Sequence, residues 1–357
     1  MKPLLLLLAV SCMAVYSKAQ QTSVTIPGSQ IKKITSAIVN GQEYELQILL
    51  PGGYGAANKK YPVVYVMDAQ WDFPLVKSIY GQQYYDGFIP EMIIVGVTWG
   101  GINPNPDSLR ARDYTPTNEQ RLVQSGGADQ FLDFMKKELF PFIENNYKAE
   151  SANRTLMGCS LGGLFTIYTL FTHGDMFTGY AAASPAVGWD NDILYKYEKA
   201  FAVQKTGKPA RLYITVGDVE RNRGTFEKFS NYISSKHYAN LSVRSKVLEN
   251  TGHSGTKSET YSRGLQFIFE RPHIKLDEGI LKKYTGTYTS AGGNTIEIKS
   301  VNHQLVLYFS PADGYPLKAA SANLLYSNAA LLNLEFSADI KTLQLNRYGS
   351  SERFSKK

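Results

Sequence analysis

Three residues, Gly158-Cys159-Ser160, separate the short apolar run Thr155-Leu156-Met157 from the long apolar stretch Leu161–Thr172. The first run suits a buried strand, and the second has the length and content of a buried helix. Joining the two across so few residues demands a sharp turn, and Gly158 and Gly162 let strand and helix approach closely there. A strand that ends this abruptly in a helix is half of a β-α unit. It restricts the chain to folds in which helices cover a mainly parallel sheet.

The neighbouring sequence repeats the alternation. Tyr61–Met67 (YPVVYVM), Met92–Val97, Gly179–Ala183, Arg211–Val216 and Val243–Leu248 read as further strands. Phe73–Tyr85, Asp129–Tyr147 and Glu259–Glu270 read as helices, the second with Phe131, Leu132, Met135, Leu139, Phe142 and Ile143 on one face. Ahead of them, Gln30–Leu50 reads as a β-hairpin turning at Asn40-Gly41, a dipeptide that accepts positive φ. After Pro272 the period becomes two (Ile296/Ile298, Leu305/Leu307/Phe309, Leu332/Leu334/Phe336, Leu343/Leu345), which predicts a C-terminal antiparallel β module with no helical period. The expected organisation is an α/β unit over residues 20–275 and a small β module over 276–357, with the boundary near 272–280; with Tyr284-Thr285-Gly286-Thr287-Tyr288 the module resembles known small β-barrel modules.

The start of the chain reads as a targeting segment. Lys2, the apolar run Leu4–Val15 and the small residues Ser17-Lys18-Ala19 predict a signal peptide over 1–19 and a secreted or periplasmic product. The run is too short to span a bilayer, and no later stretch approaches about 20 apolar residues, so no membrane span is expected. Leu8-Ala9-Val10-Ser11-Cys12 loosely resembles a lipobox, and lipid anchoring through Cys12 is the alternative. Cleavage after Ala19 would leave Cys159 alone, which rules out an intramolecular disulfide. The net charge of +7 is spread without basic runs, so no nucleic-acid partner is expected. There is no H-E-x-x-H, no H-x-x-E-H and no cysteine cluster, and neither a metal nor a cofactor is expected.

The chemistry begins at Gly158-Cys159-Ser160-Leu161-Gly162, which fits G-x-S-x-G with Ser160 at the strand-to-helix turn. A serine hydroxyl needs a base, and a nucleophile of this type is followed in sequence first by an acid and then by a histidine. Of the five histidines, His173 follows the serine too closely, His237 falls in an expected helix, His273 sits at the junction and His303 in the β module. His253 lies in the loop Asn250–Gly255 between the last strand and the last helix and is the expected base. The acid should follow the strand Arg211–Val216, where Glu220 is preferred and Asp218 is the alternative. For the oxyanion hole, one backbone N–H is expected from Leu161 and the other from Gln70, in the loop after Met67. Trp71, Trp99 and Trp189 each follow a strand's carboxyl end, where an aromatic substrate rim would stand.

These blocks resemble the "Putative esterase" family of α/β hydrolases, especially its trilactone siderophore esterases, with feruloyl and acetyl-xylan esterases as relatives. The resemblance covers about Gln30–Glu270 and rests on Tyr61–Gln70 (YPVVYVMDAQ), Arg112-Asp113-Tyr114-Thr115-Pro116 and Arg154–Phe165 (RTLMGCSLGGLF). Ser184-Pro185 with Trp189-Asp190, Gly217–Glu220 and His253 complete it, while Cys159 departs from the residues usual at its position. It implies an α/β-hydrolase fold and a triad of Ser160, Glu220 and His253. The function it implies is hydrolysis of a carboxylic ester, either a siderophore lactone or an acylated carbohydrate. The partner is then a small-molecule or glycan-linked ester. An acyltransferase using the same triad and a non-catalytic binding protein on the same scaffold are the competing readings. The oligomeric state is open.

Overall fold

The computed structural model describes residues 25–55, 58–203, 208–347 and 350–357. The expected signal peptide and Cys12 lie outside them. Among the described residues no helix is long and apolar enough to cross a membrane.

Eight strands form the first sheet: β1 (Ser29–Thr35), β2 (Glu43–Leu49), β3 (Tyr61–Val66), β4 (Ile93–Trp99), β5 (Ala149–Cys159), β6 (Gly179–Ala183), β7 (Ala210–Gly217) and β8 (Leu241–Leu248). Their order is β1-β2-β4-β3-β5-β6-β7-β8, antiparallel at β1/β2 and β2/β4 and parallel from β4 to β8. The β1/β2 turn uses positive φ at Asn40 (35°) and Gly41 (73°), as that dipeptide suggests. β3 shows why the central strands read as continuous apolar runs. Tyr61, Val63 and Tyr65 enter the core on one face while Val64 and Val66 enter the core on the other. The carboxyl ends of β3, β5, β6 and β7 therefore converge above a rigid, two-sided core.

Several elements differ from the sequence reading. The strand before Ser160 runs for eleven residues, because polar Glu150–Arg154 extend it at its half-exposed start. The expected helix over Asp129–Tyr147 is interrupted by a π turn at Met135–Leu139, between the α segments Ala128–Phe134 and Phe140–Asn146. A helix at Pro106–Tyr114 has no apolar stripe and was not expected. His237 lies just beyond the helix Arg223–Ser235, at a positive φ of 49°.

The second sheet has nine antiparallel strands: β9 (Gly286–Ser290), β10 (Thr295–Val301), β11 (Gln304–Tyr308), β12 (Gly314–Pro316), β13 (Lys318–Ala319), β14 (Leu324–Ser327), β15 (Leu332–Phe336), β16 (Thr342–Arg347) and β17 (Ser350–Lys356). Their order is β12-β11-β10-β9-β17-β16-β15-β14-β13. The two end strands are separated by Leu317 alone, so the sheet must curl until its edges meet. Its core is a cluster of its own that includes Tyr284, Tyr288, Leu307, Leu334 and Phe336. One short helix, Glu278–Tyr284, corrects the expectation of an entirely strand-built module.

Candidate active site

Ser160 sits between β5 and the helix Leu161–Thr172 with φ 59° and ψ −116°. A non-glycine residue there carries local strain, on the order of 1–3 kcal/mol, that its surroundings must hold. Backbone bonds supply the restraint: Ser160 N–H donates to Ala183 O (3.0 Å), and Ser160 O accepts from Leu164 (2.9 Å) and Ala186 (3.1 Å). Gly158 is required by proximity, since a Cβ would lie 2.5 Å from the backbone of Gly162. The helix's own hydrogen-bond ladder begins at Leu164, which leaves the N–H of Leu161 at a helix N-terminus without a partner in the ladder.

The preceding strand end offers a second donor. Asp68 holds a left-handed conformation (φ 54°) and caps the helix Ala69–Tyr85, whose ladder starts with Trp71 and Asp72 donating to Asp68 O. Gln70 N–H precedes that ladder, while the Gln70 side chain accepts from Thr98 Oγ1 at 2.6 Å. Arg110 ties the two turns together. It grips Asp68 with Nε and Nη2 (3.2 and 2.9 Å) and reaches Cys159 O at 3.4 Å. Burial raises the Asp68 carboxyl, against the pull of Arg110. Burial likewise pushes the Cys159 thiol up to about 12, which leaves it a packed, protonated neighbour of the serine.

His253 and Glu220 meet across the ends of β7 and β8. His253 Nδ1 lies 2.6 Å from Glu220 Oε2. A carboxylate there accepts a hydrogen bond from Nδ1–H, which keeps the proton on Nδ1 and leaves Nε2 as the ring's accepting nitrogen. Glu220 Oε1 accepts from Ser184 Oγ (2.5 Å) and Gly217 N (2.7 Å). Burial acts to raise the Glu220 carboxyl, but bonds from Ser184, Gly217 and His253 outweigh it and hold the carboxyl below its ordinary value. Asp218, the alternative acid, points elsewhere: its Oδ1 accepts from Thr251 N at 3.1 Å and fastens the histidine loop.

Ser160, His253 and Glu220 line one cavity of about 690 Å³ together with Trp189, Val187 and Arg221. Of the three tryptophans expected at a rim, Trp189 alone lines this cavity, with Nε1 donating to Thr117 Oγ1 at 3.0 Å. Trp71 is half exposed and stacks against Arg110, outside the cavity lining. Trp99 corrects the expectation: it is 5% exposed, its indole N–H donates to Asp113 Oδ2 at 2.7 Å, and it packs on Tyr114. The carboxyl end of β4 is covered by the helix Pro106–Tyr114, so a residue following that strand need not reach solvent. Two supporting residues were missed in the sequence. Ser184, at a positive φ of 40°, bonds the acid and lies 2.9 Å from Thr256 Oγ1, which donates to His253 O. The only sequence signal was Ser184-Pro185 at the end of an apolar strand.

Comparisons with known proteins bear on the family and the fold. The family model described as "Putative esterase" matches residues 36–262. The chain is 27% identical over 277 residues to the ferri-bacillibactin esterase BesA of Bacillus subtilis, covering 71% of this chain and 94% of that protein. It is 30% identical over 147 residues to the siderophore triacetylfusarinine C esterase of Aspergillus fumigatus, covering 40% of this chain and 50% of that protein. Among solved structures, the BES protein from Bacillus cereus superposes with a TM-score of 0.64 at 26% identity, covering 71% of this chain and 98% of that one. The siderophore hydrolase EstB from Aspergillus nidulans shares the fold with a TM-score of 0.60 at 21% identity, covering 70% of this chain and 97% of that one.

Proposed function

The chain belongs to the "Putative esterase" family of α/β hydrolases, and from that premise we propose that it hydrolyses carboxylic esters through an acyl-enzyme on Ser160. The observation that carries the serine mechanism is the 2.6 Å contact of His253 Nδ1 with Glu220, in the cavity that Ser160 lines.

In this mechanism His253 Nε2 takes the hydroxyl proton of Ser160 as the oxygen attacks the ester carbonyl. Glu220 stabilises the imidazolium that forms and holds its tautomer. The N–H groups of Leu161 and Gln70 stabilise the negative charge growing on the carbonyl oxygen. Collapse of the tetrahedral intermediate breaks the ester C–O bond, and His253 returns its proton to the departing alcohol. Water, deprotonated by His253 in turn, then attacks the acyl-enzyme. Acid is released and Ser160 is restored.

The substrate reading is a siderophore lactone, supported by relatives named as siderophore esterases. Trp189 and Val187 give the cavity an apolar wall suited to an aryl acyl group. Export through residues 1–19 belongs to the same reading and places the enzyme outside the cytoplasm. Chromatography of products from a trilactone siderophore, a feruloyl-sugar ester and an acetylated sugar tests the substrate. Opening of the lactone with kcat/KM well above the other two supports the proposal; preference for a sugar ester overturns it.

A further inference from the structure

The cleft between the last elements of the first sheet and the C-terminal module gathers charge of one sign. Arg244 on β8, Arg263 on the helix Thr256–Ile268, Arg271 on the connecting segment and Lys318 on β13 line one cavity of about 280 Å³, with Glu270 as the sole carboxylate lining it. His273 stands at its edge. This cavity shares no lining residue with the one that holds Ser160.

The carboxylate does not neutralise the group. Glu270 Oε2 stands 3.7 Å from Arg244 Nη2, with both side chains more than half exposed (56% and 55%), a weak solvated pair. Arg271 donates from Nη1 to Asn333 Oδ1 at 2.7 Å, and Arg263 from Nη1 to Gln266 Oε1 at 2.9 Å, both neutral acceptors. Among the described residues Lys318 makes no ion pair. Arg271 is also partly buried against the ring of Tyr326, 4.8 Å from its centroid, and burial lowers its guanidinium from the ordinary value. A desolvated guanidinium facing neutral acceptors and further cations lacks the counter-charge that would compensate its burial.

The site is held in shape. Arg211 Nη1 donates to the carbonyls of Phe267, Ile268 and Glu270 (2.8, 3.0 and 2.8 Å), fixing the chain that leads into Arg271. Across the junction the two parts abut closely: Gly87 has a φ of +77°, and a Cβ there would lie 2.5 Å from Asn328 O.

We propose that this cleft is a second binding site, which takes a soluble, multiply charged oxyanion of the phosphate class. Arg263 would hold it from the catalytic side, and Arg271 and Lys318 from the connecting segment and the module. The guanidinium forks suit bidentate contact with tetrahedral oxyanions, and the ligand would supply the missing negative charge.

The test is calorimetric titration of the full chain with pyrophosphate, beside Arg271→Gln, Lys318→Gln and the control Lys137→Gln. Lys137 is an exposed cation paired with Asp133, outside the cleft. Saturable binding with Kd on the order of 1 mM or tighter is expected. It should weaken about tenfold in each cleft variant and stay unchanged in the control. Lys318 is exposed, so its variant reports on binding even where Arg271→Gln perturbs folding. Hydrolysis of a p-nitrophenyl ester should stay at the wild-type rate in Lys318→Gln. Absence of saturable heat, equal binding in wild type and Lys318→Gln, or association only with phosphatidylglycerol vesicles would each overturn the proposal.

Discussion

At the scale of single residues, the two carboxylates after β7 have opposite duties. Glu220 contacts the imidazole, whereas Asp218 holds the backbone of Thr251. Glu220→Gln should therefore lower kcat by about 10³–10⁴-fold, the cost of losing a triad acid. Asp218→Asn should cost less than about tenfold, the loss of one loop hydrogen bond. Steady-state assays on a p-nitrophenyl ester check both. The pH dependence has a definite sign. The Glu220 carboxyl is held below its ordinary value of 4.5, so its contribution to stability is fully present above that pH and is lost as pH falls through the lower folded value. The stability of wild type relative to Glu220→Gln should thus be level from neutral pH down to about 4.5 and shrink below it, as read by urea denaturation. That Ser160, His253 and one of the two carboxylates after β7 would meet was legible, because the order serine, acid, histidine and the loop positions are written along the chain; the choice of Glu220 over Asp218 is visible only in the fold. Ser184 and Thr256 were not, because their value lies in a hydroxyl brought near by folding, and serine and threonine are too common to stand out.

At the scale of elements, the turn after β7 and the histidine loop are packed without spare room. A Cβ on Gly217 would fall 1.9 Å from Thr251 O and 3.2 Å from Glu220 Oε1. Gly217→Ala should therefore displace the loop that carries His253. The expected result is a loss of kcat of about a hundredfold or more, the cost of misplacing a catalytic group by about 1 Å. Unchanged kinetics with an unchanged melting temperature would show that the loop is free to adjust. Elements written as continuous apolar runs were legible, among them β3, β6 and the helix Leu161–Thr172. The helix Pro106–Tyr114 was not, because polar bonds hold it in place of an apolar stripe. Asn105 caps it through Ser108 N (3.2 Å), Arg110 pairs with Asp68, and Asp113 accepts from Tyr44, Trp99 and Arg112. The same bonds explain the burial of Trp99, which position after a strand end alone could not foretell. The π turn at Met135–Leu139 is likewise invisible to a helical period, since one extra residue per turn shifts the stripe without erasing it.

At the scale of the whole molecule, the first sheet carries an apolar cluster on each face and the second sheet holds a cluster of its own. Leu334 is fully buried in the cluster of the second sheet. Leu334→Ala should destabilise that module by about 2–5 kcal/mol. Ester hydrolysis should persist at temperatures where the module has melted, with two transitions in calorimetry. A single transition at which activity and both sheets are lost together would instead make the molecule one cooperative unit. The strand order of the second sheet and the charged cleft beneath it were not legible, because both depend on which strands become neighbours. Arg244, Arg263, Arg271 and Lys318 are scattered along the sequence and converge only in the fold.

Whether Ser160 is the nucleophile is read by active-site labelling. The protein is treated with a fluorophosphonate, digested and mapped by mass spectrometry, beside Ser160→Ala and His253→Ala. One phosphonyl adduct is expected, on Ser160, forming in step with loss of ester hydrolysis. The adduct should be absent from Ser160→Ala and form far more slowly in His253→Ala. An adduct on another residue, or hydrolysis that survives complete modification of Ser160, would contradict that role.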